Sequence, residues 1–184
     1  MHVRSSSVTG LPIIDDETLE TVGHLMHPLI QPDTGRIEGF FVIPSIALSD
    51  ARELFLPAVD IIGWGSGVHI KTRDRLAPPE ELIRLQPLIR DNRKILGQRI
   101  RIKGSKKSLG ICADVQFDTR HFCIEWLFPR KYFVQRQPMP ATDIVEVTGS
   151  AIWVKDPFAP LQEEKEAKSE TGIVIPEVMP AAQN

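Results

Sequence analysis

Cysteine, tyrosine and long apolar runs are all scarce in this chain, and each shortage narrows its class. Of 184 residues, two are cysteine and one is tyrosine. Cys112 and Cys123 sit eleven apart. If they flank a hairpin turning at Asp118-Thr119-Arg120, Cys112 falls opposite about residue 126, so the two are expected to be unpaired, buried thiols of a reducing compartment. The most apolar stretch, Gly39 to Leu48, is broken by Pro44 and Ser45. It is well short of the roughly 18–20 residues a spanning helix needs. No secretory h-region or lipidation box is visible, so a soluble, cytoplasmic protein is expected. Catalytic signatures are missing as well: there is no HExxH, CxxC, P-loop or GxSxG elbow.

Net charge is also small, −2 in total, but the sum hides its distribution. Residues 1–83 carry 6 basic and 12 acidic side chains, residues 84–136 carry 13 and 4, and residues 137–184 carry 3 and 8. The chain therefore runs acidic, basic, acidic. Nine cations and one acid, Asp91, lie between Arg84 and Lys107. Arg99, Arg101 and Lys103 alternate with Ile100 and Ile102, a period of two that puts three cations on one face of a strand. Lys106 and Lys107 extend them into a turn, and Arg93 and Lys94 precede them. These seven residues, Arg93, Lys94, Arg99, Arg101, Lys103, Lys106 and Lys107, are the candidate partner-binding face. Three readings stand: a solvated face, a face neutralised by the acidic first unit or tail, or a surface for RNA phosphates or an acidic protein. No aromatic interleaves with these cations, so stacking readout of a single strand is not expected, although Tyr132-Phe133 beside Arg130-Lys131 offers a partner groove.

The chain also repeats itself. Residues 56–71 read LPAVDIIGWGSGVHIK and residues 139–155 read MPATDIVEVTGSAIWVK. Pro57 and Asp60 match Pro140 and Asp143 at an offset of 83 residues. Upstream, Gly23 matches Gly110 at 87, and Asp33-Thr34 matches Asp118-Thr119 at 85, with a second turn two residues shorter. Two β-rich units follow from this, each with short strands punctuated by turn residues such as Pro32, Gly35, Gly65 and Gly149. Between them, Pro78-Pro79-Glu80-Glu81 begins about two helical turns that Pro87 limits or kinks. The expected division is a first barrel over 1–76, a helical linker over 77–92, a second barrel over 93–157 and an acidic flexible tail over 158–184. Within that tail Gly172-Ile173-Val174-Ile175-Pro176 is a short apolar motif.

The quoted turns and strand edges resemble the PRC-barrel superfamily in tandem. In the first unit the resembling residues are Gly10-Leu11-Pro12-Ile13-Ile14, Val22-Gly23, Pro32 through Gly39, Leu56 through Ile62 and Val68-His69-Ile70. In the second they are Gly97-Gln98-Arg99-Ile100, Leu109-Gly110, Asp118-Thr119 and Met139 through Val145, with Arg120-His121 where the family usually has Gly-Arg or Gly-Lys. The resemblance implies a mainly β chain of two small six-stranded barrels that bind macromolecules, with no catalysis and no cofactor. Relatives in ribosome maturation factors suggest a ribonucleoprotein partner. A protein–protein scaffold at the cytoplasmic membrane face or division apparatus is the alternative. Neither takes a small-molecule substrate.

Smaller features fit this expectation. His24 and His27 fall on opposite faces of an ideal strand, unsuited to a shared metal. Gly63-Trp64-Gly65-Ser66-Gly67 leads into a strand, whereas a phosphate cradle needs a helix end. Asp60 and Asp143, each after Pro-Ala-X, are expected to cap backbone N–H groups.

Overall fold

Period-two alternation and Gly/Pro punctuation dictate strands over most of the chain, and the computed structural model, which describes residues 1–45 and 53–156, is mainly β. The chain opens with β1 (His2–Arg4) and one helical turn, α1 (Ser5–Val8). A first sheet follows from β2 (Pro12–Asp15), β3 (Thr21–Ile30), β4 (Ile37–Pro44), β5 (Leu54–Pro57), β6 (Ile61–Trp64) and β7 (Val68–Ile70). Its order is β5-β4-β3-β2-β7-β6, with β2 and β7 parallel. After α2 (Gln86–Ile89) come β8 (Arg99–Ile102), β9 (Ser108–Asp118), β10 (Cys123–Lys131), β11 (Val134–Gln135), β12 (Met139–Pro140), β13 (Ile144–Val147) and β14 (Ile152–Val154). The second sheet is ordered β11-β10-β9-β8-β14-β13, with β12 beside β10 and β8 parallel to β14. Strand order, the parallel pair and the 3-10 turns at Ala58–Asp60 and Ala141–Asp143 recur in both sheets. The tail expected over 158–184, with its apolar motif, lies outside the described residues.

The structure corrects the register of the repeat. Gly35 N–H donates to Gln31 O, and Phe122 N–H donates to Asp118 O, so the two hairpins turn through equal lengths 87 residues apart. Asp118 therefore matches Gln31, and the second turn is not shorter. Both closing residues take a left-handed backbone, φ +69° at Gly35 and +51° at Phe122. Glycine suits this at Gly35 twice over: a Cβ there would sit 2.7 Å from Ile124 Cγ1.

These two equivalent tips join the sheets. Ile37 N–H donates to Phe122 O at 2.6 Å, and Ile124 N–H donates to Gly35 O at 2.9 Å. Arg36 and Cys123 face each other as an antiparallel bridge. Shifting either hydrogen bond by 87 residues generates the other, the self-complementary pattern of a two-fold interface. Beneath this clasp one apolar core draws on both sheets, with Ile13, Leu25 and Phe40 continuous with Ile100, Val115 and Phe117. Phe40 and Trp64 meet Phe117 at ring separations of 5.9 and 6.1 Å.

The ends of the units cross over. The first unit was expected to hold residues 1–76, yet β1 pairs with β9 of the second sheet, Val3 opposite Phe117. Ser6 N–H and Oγ then donate to the Asp114 carboxylate. In return, Leu88, Ile89, Asp91 and residues 93–96 line a cavity together with His27 through Ile30 of β3. The expected two-turn helix is instead 3-10 turns at Pro79–Glu81 and Ile83–Leu85, then α2. Pro87 sits in the first turn of α2, where its missing N–H costs nothing, so it starts a helix rather than ending one. Leu82, Leu85 and Ile89 pack this linker on Phe41 and Phe55.

A shared core has a thermodynamic consequence. Phe117 is fully buried at the junction, so Phe117→Ala is expected to destabilise by about 3–5 kcal/mol. Denaturant titrations followed by tryptophan fluorescence and by far-UV circular dichroism are expected to coincide in one transition for both proteins. Two separated transitions in the wild type would contradict it.

Candidate functional site

Ile100 and Ile102 are buried on β8, and their alternation turns Arg99 and Arg101 outward. Arg101 lies opposite Ser108 of β9 and Trp153 of β14. Its guanidinium carbon is 6.0 Å from the Trp153 ring centroid, at the edge of cation–π range. The β8–β9 turn continues this face. Lys103 N–H donates to Val154 O, Lys107 N–H to Ser105 Oγ, and Gly104 supplies φ +77°. Lys103, Lys106 and Lys107 are exposed.

Antiparallel pairing adds a second turn at the same end. Strand β9 descends from the 103–107 turn to the clasp, and β10 climbs back to Lys131. Tyr132 and Phe133 then form the β10–β11 turn, with Lys131 opposite Val134 and Arg130 opposite Gln135. Tyr132 is 84% exposed and Phe133 fully so. The end of the second sheet away from the clasp thus carries Lys103, Lys106, Lys107, Arg130 and Lys131 together with two exposed aromatic rings, with Arg99 and Arg101 on the adjoining strand. Among the described residues none of these seven cations has a carboxylate in ion-pairing range, while the other end of the sheet is occupied by the clasp.

Five of the seven cations singled out from sequence are therefore brought together: Arg99, Arg101, Lys103, Lys106 and Lys107. The other two are not. Arg93 Nη1 and Nη2 donate to the two carboxylate oxygens of Asp33 at 2.6 and 3.1 Å, while Nε donates to Asp91 at 3.0 Å. The hydrogen bonds it donates to Asp91 and then to Asp33 hold its pKa above the ordinary arginine value. Arg93 straps the linker to the first sheet. Lys94 lies beyond it, on a cavity of about 240 Å³ lined by His27, Phe41 and Ile89.

Sequence reasoning missed Trp153, because the strand that brings it beside Arg101 is 52 residues downstream and pairs in parallel. The alternation of Ile152 and Val154 around it was the available signal. A bulge between Leu25 and Pro28 overrides the expected alternation at His24 and His27, and leaves both exposed. The His27 ring stacks on Phe41 at 4.5 Å, and partial desolvation of that stacked face lowers its pKa. Asp60 closes a 3-10 turn, where its carboxylate faces Arg75 at 3.6 Å instead of capping backbone N–H groups. Trp64 and Val68 bracket a hairpin turn, Gly65 N–H to Gly67 O, as the glycine spacing implied.

The two sets of cations should separate experimentally. Arg93→Ala removes a strap and is expected to lower the melting temperature. Combined Arg99→Ala, Lys106→Ala and Lys107→Ala changes affect solvated side chains and are expected to leave stability within about 0.5 kcal/mol of wild type. Differential scanning calorimetry of both proteins checks this, and equal losses would contradict the assignment. No family model matches the chain, and no curated protein matches it.

Proposed function

We propose that this chain is a cytoplasmic, non-catalytic adaptor built from two tandem PRC-type barrels, and that the basic end of its second barrel docks on ribonucleoprotein. The barrel reading is supported by the repeated strand order, the parallel closing pair and the equal turns 87 residues apart. The single observation that carries the docking reading is the pooling of Lys103, Lys106, Lys107, Arg130 and Lys131 at one free end. Phosphate oxygens suit such a cluster, because each neutralised phosphate releases counterions and sequence need not be read. Although no aromatic interleaves with these cations along the sequence, Trp153 comes beside Arg101 from β14, and with Tyr132 and Phe133 it adds faces on which unpaired bases stack.

The test is binding of a fluorescent single-stranded RNA at several salt concentrations. Wild-type protein is expected to bind with a log–log salt slope of about −3.5, the value for five phosphate contacts on a single strand. Arg99→Glu, Arg101→Glu, Lys106→Glu and Lys107→Glu together are expected to abolish binding and to remove the protein from ribosomal fractions. An unchanged sedimentation profile would overturn the proposal.

The full exposure of Phe133 favours one second reading, a protein–protein scaffold in which this tip meets an acidic apolar partner. Affinity capture with and without nuclease separates the two. Partners lost on nuclease treatment favour RNA, and partners retained favour the scaffold.

A further inference from the structure

At the clasp end, three adjacent strands converge on a group of side chains that the docking surface does not use. His2 on β1, Asp118 at the end of β9 and Glu125 on β10 each present one donor atom, all within 4.8 Å of one another. His2 Nδ1 lies 2.7 Å from Glu125 Oε2 and 3.9 Å from Asp118 Oδ2. The strands set this up directly, since His2 is the register partner of Asp118. Glu125 arrives by an irregularity: the ladder slips between Ile124 and Trp126, and the intervening residue is the extra one. Bulges of this kind re-aim a side chain.

The two oxygens of Asp118 have different duties. Oδ1 accepts the N–H groups of Arg120 and His121 at 2.7 and 2.9 Å, which shapes the clasp turn. Those two bonds also hold the carboxyl well below the usual carboxylate range. Oδ2 accepts no backbone hydrogen bond and faces His2, with the Met1 nitrogen 3.5 Å away. The two carboxylates carry more negative charge than the Met1 ammonium beside them offsets, which favours a cation.

We propose that His2 Nδ1, Asp118 Oδ2 and Glu125 Oε2 form a binding site for a divalent cation of borderline hardness, of the zinc class. One imidazole and two carboxylates are a ligand set this class accepts, at metal–ligand distances of about 2.0–2.2 Å. Donors around such an ion stand roughly 3.3–3.6 Å apart, between the 2.7 and 3.9 Å found here, so side-chain rotation alone closes the set. The site is open to solvent, with the His2 side chain 56% exposed, leaving room for water as further ligand. Because the ligands come from β1 and the second sheet, the ion fastens the crossed-over amino-terminal strand.

The full-length chain supplies its own control. His69 Nδ1 and Asp16 Oδ1 make a histidine–carboxylate pair of the same 2.7 Å length, without a third donor among the described residues. Titration of the intact protein with Zn²⁺ alone, followed by isothermal calorimetry, is expected to show one saturable site. Glu125→Gln and His2→Ala are each expected to weaken uptake about tenfold or more, a loss at least as large as that from an outer-shell change. His69→Ala is expected to leave it unaltered, and circular dichroism of each variant verifies the fold. No saturable uptake would overturn the proposal. So would uptake that His2→Ala reduces and Glu125→Gln does not, because that pattern marks chelation by the amino-terminal residues alone.

Discussion

Two backbone hydrogen bonds, Ile37 N–H to Phe122 O and Ile124 N–H to Gly35 O, organise the rest of this molecule. They join the tips of two equivalent hairpins, and they require both tips to carry a left-handed residue at the closing position. Once the tips meet, Phe40, Trp64, Phe117 and Phe122 are held at ring-contact distance, and the cores of the two sheets become one. The crossed-over ends follow the same two-fold logic. Strand β1 reaches across to β9, and the segment around Arg93 reaches back to β3 and Asp33.

That junction also divides the second sheet by role. A β-sheet strand pair has two ends, and here one is consumed by the clasp. The 103–107 and 132–133 turns lie at the other end, and the basic residues gather there. The near-neutral total charge is therefore the sum of an acidic first segment, a basic middle segment whose cations gather away from the clasp, and an acidic C-terminal segment. Arg93 shows the intramolecular half of this charge balance, neutralised by Asp33 and Asp91. Lys103, Lys106 and Lys107 show the other half, with no carboxylate partner among the described residues.

Local features of this architecture were legible in the sequence. The alternation of Ile100 and Ile102 with Arg99 and Arg101 fixes β8 and its outward cations. The matched Pro-Ala-X-Asp segments locate the 3-10 turns and the strands after them. What the sequence could not show were pairings between distant segments. His2 meets Asp118 and Arg93 meets Asp33 through chain reversals whose geometry no local pattern encodes. The aspartates Asp33 and Asp118 look equivalent because both sit beside threonine in a turn. Hydrogen-bond closure by Gly35 and Phe122 sets the true register two residues away, and a phenylalanine where glycine was expected concealed it. Alternation likewise failed at His27 and Glu125, where single-residue bulges change which way a side chain points.

The central claim is that the clasped end of the second sheet is structural and its free end is the docking surface. Hydrogen–deuterium exchange of the full chain, with and without a saturating single-stranded RNA, tests this most directly. The account predicts added protection in residues 99–107 and 130–136, with residues 31–37 and 118–124 already slow and unchanged. Added protection confined to the first sheet or to the clasp would contradict it.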